Sequence, residues 1–351
     1  VRTKYYVKDV IRGLKKPDIE QLPQPDYKKI CGGRKIFLAV EDMKRHMTDE
    51  GWQIAEALEY NDYTLCGHDL YGDRRIPVLL NQIDPSVVVV QDKREWDVRP
   101  GNFRNPDARF LNTEHLATRK DIFKLTILKD SHQNPEYHRQ AAEEIGCHAW
   151  ITYYHQDIVS HLAPYTRPQH LIRTYHSINK DIVPEFNVLR KNKSLLSGAM
   201  SHHYPLRSLI KNNLLNNRAS TTIDLLQHPG YHRDGSNTPG FLDMLNHYKV
   251  AVCTSSVYGY ALRKLIEATV CGCLVLTDLP HDEVLPGIDD NLIRVHPQTS
   301  YMKILEIVKD LYEEYDYDRQ RYFANVAKEL YDFRVQGKEL ASRIKDLREC
   351  Y

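Results

Sequence analysis

Apolar and polar positions alternate along this chain in blocks: short β-branched runs, then longer stretches with apolar residues every three or four positions. Lys35–Val40, Ser86–Val90, Leu125–Leu128, Ala149–Tyr153 and Leu171–Tyr175 have the length and content of buried strands. Tyr63–Cys66 is a shorter run of the same kind. Between them, helical spacing recurs at Trp52, Ile54, Ala55 and Leu58, and over Ile76–Ile83, Glu136–Ile145 and Gln156–Leu162. A polar stretch, Asn179–Lys193, holds Pro184 and interrupts the pattern. It then restarts with a strand at Ser194–Ala199, a helix at Leu206–Leu215 and a strand at Thr221–Leu226, followed by a Gly-, Pro- and His-rich loop over His228–Gly240. Three amphipathic helices are expected at the end, over Tyr301–Tyr315, Asp318–Phe333 and Lys338–Cys350. Strands alternating with helices call for parallel sheets with helices on both faces. The expected architecture is therefore α/β, with two Rossmann-like domains facing across a cleft. A helical or extended arm occupies 1–33, the first domain 34–180, a linker 181–193, and the second domain, with the C-terminal helices, 194–351.

The stretch Tyr248–Glu283 carries the densest signal. A strand, Val250–Cys253, leads through a small polar loop (Thr254 to Gly259) into a helix bearing Leu262, Leu265, Ile266 and Val270. Cys271-Gly272 stops that helix, and a second strand, Cys273–Leu276, ends at Thr277-Asp278. A helix N-terminus after such a loop favours anions, because unpaired amides and the helix dipole converge there. Arg263 and Lys264 fall in the first turn, where the dipole disfavours cations; a bound phosphate would offset that cost. Glu267, one turn on, has the reach and charge to accept hydrogen bonds from a ribose diol.

The segment ALRKLIEATVCGCLVLTD resembles the donor-binding region of GT-B glycosyltransferases, especially the spore-maturation (CgeB-like) group. It is also similar to the equivalent segment of phage DNA β-glucosyltransferases. That resemblance implies Lys264 as a phosphate contact and Glu267 as the ribose ligand. It implies further that Arg207 matches an arginine in a phosphate-binding loop, with His202 or His203 where that loop has another. Families with two glutamates eight positions apart would place the first at 259, where this chain has Gly259. The activity implied is transfer of a sugar from a nucleoside-diphosphate sugar, UDP-linked by default and GDP-linked as the alternative, to a hydroxyl of a glycan or other glycoconjugate.

Composition bounds the remaining choices. At 351 residues, 42% hydrophobic and 27% charged, the chain is sized for two globular domains. A net charge of +1 gives no global attraction to nucleic acid or an anionic membrane. This weighs against the first rival reading, a glucosyltransferase acting on modified DNA bases. The second rival is a non-catalytic GT-B domain retained for binding. Seven cysteines without a CxxC pair suggest reduced thiols, and no run reaches the roughly 18 apolar residues of a membrane span. A cytoplasmic protein is expected. HExxH, P-loop, GxGxxG and GxSxG patterns are missing, so no intrinsic metal or cofactor is expected.

Ligands of open parallel sheets bind beyond the carboxyl ends of the strands. Donor-binding candidates are accordingly Gly198, His203, Arg207, Ser255, Ser256, Tyr258, Gly259, Arg263, Lys264 and Glu267. Inverting transfer needs a general base for the acceptor hydroxyl. Asp42, Asp130 and His132, all after first-domain strands, are the catalytic candidates.

Overall fold

A computed structural model describes residues 35–38, 50–66, 75–90, 112–132, 135–199, 201–216, 222–226 and 238–351. In chain order the first half runs β1 (Lys35–Leu38), α1 (Glu50–Glu59), β2 (Thr64–Cys66), α2 (Ile76–Ile83), β3 (Val87–Val90), α3 (His115–Thr118), β4 (Phe123–Ile127), α4 (Pro135–Ile145), β5 (Ala149–Thr152), α5 (Gln156–Leu162) and β6 (Leu171–Arg173). The second half runs β7 (Lys191–Ser197), α6 (Pro205–Asn216), β8 (Ile223–Leu226), α7 (Thr238–Leu245), β9 (Tyr248–Val252), α8 (Arg263–Val270), β10 (Leu274–Thr277), β11 (Leu292–Arg294), α9 (Tyr301–Glu313), α10 (Tyr317–Leu330) and α11 (Phe333–Glu349). The expected helical or extended arm over 1–33 and the candidate Asp42 lie outside the described residues.

Two compact units result, their boundaries within the chain falling at His176/Ser177 and Asp332/Phe333. The first is built on a six-stranded parallel sheet in the order β2-β1-β3-β4-β5-β6. All four valines of β3 are buried, as a central parallel strand covered on both faces requires. Ile36, Leu38, Val88 and Val90 pack with Ile76, Leu79 and Leu80 of α2 in one cluster.

The second unit is a five-stranded parallel sheet, β11-β10-β9-β7-β8. One face of it packs Leu196, Val250, Val252 and Leu276 against Leu206 and Ile210 of α6 and Ile304 and Val308 of α9. The strand order reverses at β7, which pairs with both β8 and β9. Crevices at such switch points are where open α/β sheets take their ligands.

Three expectations are corrected. The last helix, α11, belongs with the first unit, not the second: it packs on α1 and β6. Gly337 permits the approach, since a Cβ there would overlap the carbonyl oxygen of Ala57 and lie 2.6 Å from its carbonyl carbon. The polar connector is also shorter at its C-terminal end than expected, because β7 begins at Lys191. Finally, the segment expected as loop through Gly240 opens a helix at Thr238, with Pro239 in its first turn, where its missing N–H carries no cost.

Candidate donor site at the second-sheet switch point

The β7–β9 register pairs Leu196 with Val252, so the residues after both strands emerge side by side. Gly198 follows β7 directly, with φ of +120°, a conformation that side chains resist. The volume a Cβ would take is already occupied. A Cβ at Gly198 would lie 2.5 Å from an Arg207 guanidinium nitrogen and 2.8 Å from Lys264 Nζ. Two cations, one from α6 and one from α8, therefore close on a single glycine.

Arg207 is buried and held from several sides. Its Nε donates to Thr254 Oγ1 at 3.0 Å, and its terminal nitrogens donate to the carbonyls of Ala199 (2.9 Å) and Thr254 (3.3 Å). The guanidinium also lies 4.0 Å from the centre of the Tyr204 ring. These contacts fix its orientation before any ligand arrives. Lys264 is half-buried, donates to Ser197 Oγ at 3.1 Å and stands 5.7 Å from the centre of the Phe241 ring. Burial, and then the neighbouring Arg207 charge, bring its pKa down to about 8, against a partial opposing effect of Glu267.

The loop after β9 is locked by its own backbone. Asp278, at the end of β10, is buried and accepts the Ser255 amide at 2.6 Å. Burial raises the Asp278 pKa despite that hydrogen bond. Ser256 accepts the amides of Tyr258 and Gly259, and Gly259 takes φ of +70° to close the turn. The Val257 amide donates to the His203 carbonyl at 2.8 Å, tying this loop to the one after β7. The His203 and Tyr258 rings lie 6.0 Å apart. Helix α8 starts at Arg263. Its cap residue, Leu262, offers no side chain to the first amides, and no acidic residue stands in the first turn. A helix end of this kind favours an anionic ligand.

Glu267 is buried on α8, and among the described residues it pairs with Arg263, four residues earlier, at 3.0 Å. Arg263, expected beside Lys264 as a cation for phosphate, is thus engaged with a carboxylate, a pair that the i, i+4 spacing allows. Asp130 and His132 sit together, half-buried, on the turn after β4 of the first unit. Asp130 accepts a long hydrogen bond, 3.4 Å, from the buried Tyr154. Among the described residues no group of three His, Cys, Asp or Glu has the arrangement of a metal site, and no helix is long and apolar enough to cross a membrane.

No family model matches the sequence, and no curated protein sequence matches it. Solved structures do match its fold. A HepE protein from Anabaena, in complex with UDP-glucose, superposes with a TM-score of 0.54 at 10% identity, over 89% of this chain and 99% of that one. A glycosyltransferase from Rickettsia africae gives 0.53 at 10% identity, over 92% of both chains. The lipopolysaccharide outer core galactosyltransferase WaaB gives 0.51 at 12%, over 89% of this chain and 99% of that one. With two parallel sheets interleaved with helices, the chain has the α/β architecture of the GT-B glycosyltransferase fold.

Proposed function

We propose that the protein is a glycosyltransferase that moves a sugar from a nucleoside-diphosphate sugar to a hydroxyl acceptor. The observation carrying this reading is the pairing of Arg207 and Lys264 on Gly198, at the switch point of the second sheet. Two fixed cations and an uncapped helix start suit a diphosphate, whose negative charge grows as it leaves the sugar. Glu267, in the next turn of the same helix, suits the ribose diol. The UDP-glucose and UDP complexes of HepE favour a UDP-linked donor here. The resemblance of residues 261–278 to the CgeB-like and phage segments supports the same roles for Lys264 and Glu267.

Within this reading, Gly198 admits the diphosphate close to the backbone, and Ser255, Ser256, Tyr258 and Gly259 shape the loop around it. His203 braces that loop through its carbonyl. Asp42, Asp130 and His132 are the candidate bases for the acceptor. Asp130, already in contact with the Tyr154 hydroxyl, is the one we would replace first.

Calorimetric titration with UDP and GDP, followed by hydrolysis assays on a panel of their sugars, tests the proposal. Micromolar binding of one nucleotide, lost in Arg207→Ala and Lys264→Ala, is expected. Absence of any binding at millimolar concentration removes the donor site. Binding without turnover of any sugar leaves the non-catalytic rival.

A further inference from the structure

Arg263 is hard to account for as a helix residue. The dipole disfavours a cation in the first turn, and an Arg placed four residues before a Glu is the weaker of the two orientations of such a pair. Yet the side chain is only 19% exposed and the Glu267 side chain only 8%. The pair is also imperfect. Arg263 Nε stands 3.0 Å from Glu267 Oε1 but is not aligned as a hydrogen-bond donor, and no other acceptor meets it. Among the described residues the buried carboxylate thus has one charged partner at contact distance and no well-formed hydrogen bond, an arrangement that leaves its acceptor capacity for something else.

Arg263 also differs from the two phosphate candidates. Adjacent residues on a helix project about 100° apart, so Arg263 and Lys264 diverge. Lys264 meets Gly198 and Ser197, whereas Arg263 meets Glu267.

We infer that Arg263 is a positioning residue: it holds the Glu267 carboxylate where it accepts both ribose hydroxyls, and so makes this site select ribonucleotide over 2′-deoxyribonucleotide donors. The inference rests on the donor-site reading above and assigns Arg263 a role distinct from phosphate neutralisation. A carboxylate accepting two hydroxyls loses one contact when the 2′-hydroxyl is missing. A carboxylate free to swing loses both, and its preference disappears with them.

The test is calorimetric titration of UDP and 2′-deoxy-UDP into the wild type, Arg263→Met, Arg263→Lys, Glu267→Gln and the Arg263→Met/Glu267→Gln double variant. The wild type is expected to prefer UDP by at least about tenfold, the usual value of one hydrogen bond to a charged group. Arg263→Met should narrow that preference to about twofold, weakening UDP far more than 2′-deoxy-UDP, and Arg263→Lys should restore part of it. In the Glu267→Gln background, Arg263→Met should leave the remaining ratio unchanged. Equal weakening of both nucleotides in Arg263→Met, with the ratio preserved, would make Arg263 a phosphate contact and overturn the inference. A wild type that binds both nucleotides equally also overturns it while leaving the diphosphate site standing. UDP that fails to bind at all removes the donor-site reading, and the inference with it.

Discussion

Replacing Lys264 by Met should stabilise the empty protein at neutral pH while abolishing its preference for diphosphates. Burial, and then the neighbouring Arg207 charge, bring the pKa of the ammonium from the usual 10.5 to about 8. Below pH 8 the lysine is charged in both the folded and unfolded chains, and the whole cost of confining that charge is present. Between pH 8 and 10.5 the unfolded chain holds the proton more firmly, so unfolding takes one up and stability rises with pH. The interval corresponds to roughly 3 kcal/mol at most. A half-buried ammonium keeps some of its water, so about 1–3 kcal/mol is the realistic range. Met removes that cost but leaves Ser197 Oγ without its donor, at about 1 kcal/mol. The net gain at pH 7 is up to about 2 kcal/mol, or a rise in Tm of up to roughly 8 °C for a unit of this size. Thermal and urea denaturation of both proteins from pH 6 to 10.5 measures it. The advantage of Met should shrink steadily above pH 8 and reverse by pH 10.5. With saturating UDP the order should already be reversed at pH 7, because only the wild type gains the full ligand stabilisation. A Met variant that is less stable than the wild type by the same margin at pH 7 and pH 10 would refute the reasoning, since the ammonium would then be no burden.

Three further substitutions probe the fold, two at the site and one away from it. Gly198→Ala should cost at least about 1–3 kcal/mol from its positive φ alone, and should weaken UDP binding by displacing both cations, read by calorimetry beside thermal melts. Asp278→Ala should leave the Ser255 amide unpaired, lowering stability by about 1–3 kcal/mol and speeding hydrogen exchange at residues 254–259 before it affects β9. Gly337→Ala should destabilise the first unit by at least about 1–3 kcal/mol, as its Cβ would run into the Ala57 carbonyl as well as the Asn61 side chain, yet leave UDP affinity unchanged in titration.

The elements whose buried positions follow one clear period were the ones legible in the sequence. Helix α2 has the bounds its apolar spacing predicts, and β3 is a run of valine that fits nothing but a buried strand. Strand β11 was missed because Leu292–Arg294 is three residues long and ends in an Arg that pairs with Asp289. The home of α11 was not legible either: amphipathic spacing reports that a helix covers a core, not which core. Its one signal was Gly337, an interior glycine that costs about 1 kcal/mol of helix propensity unless something packs closely on it. At the site, the small loop and the helix start were readable from Gly, Ser and the misplaced cations. The closure of Arg207 and Lys264 onto Gly198 was not, because it joins residues 9 and 66 positions downstream of the glycine through a strand crossover.

That closure also explains why a glycine and two cations belong together here. Arg207 is anchored by Thr254 and Ala199 independently of any ligand, so its charge stays in place when the site is empty. Lys264 then sits in a field that opposes its own charge, with Glu267 supplying only partial relief. A side chain at position 198 would push the two apart and lower that repulsion, but it would also fill the place where two positive charges can act on one ligand. An anion entering there removes the repulsion as it forms its own contacts, and its binding free energy includes both. A monophosphate or an uncharged sugar relieves less of it than a diphosphate does. If the proposed donor binds here, its discrimination would draw on the burial and repulsion borne by Lys264 in the empty protein as much as on contacts made in the complex, and that is the reason to expect a charge-rich leaving group in this loop.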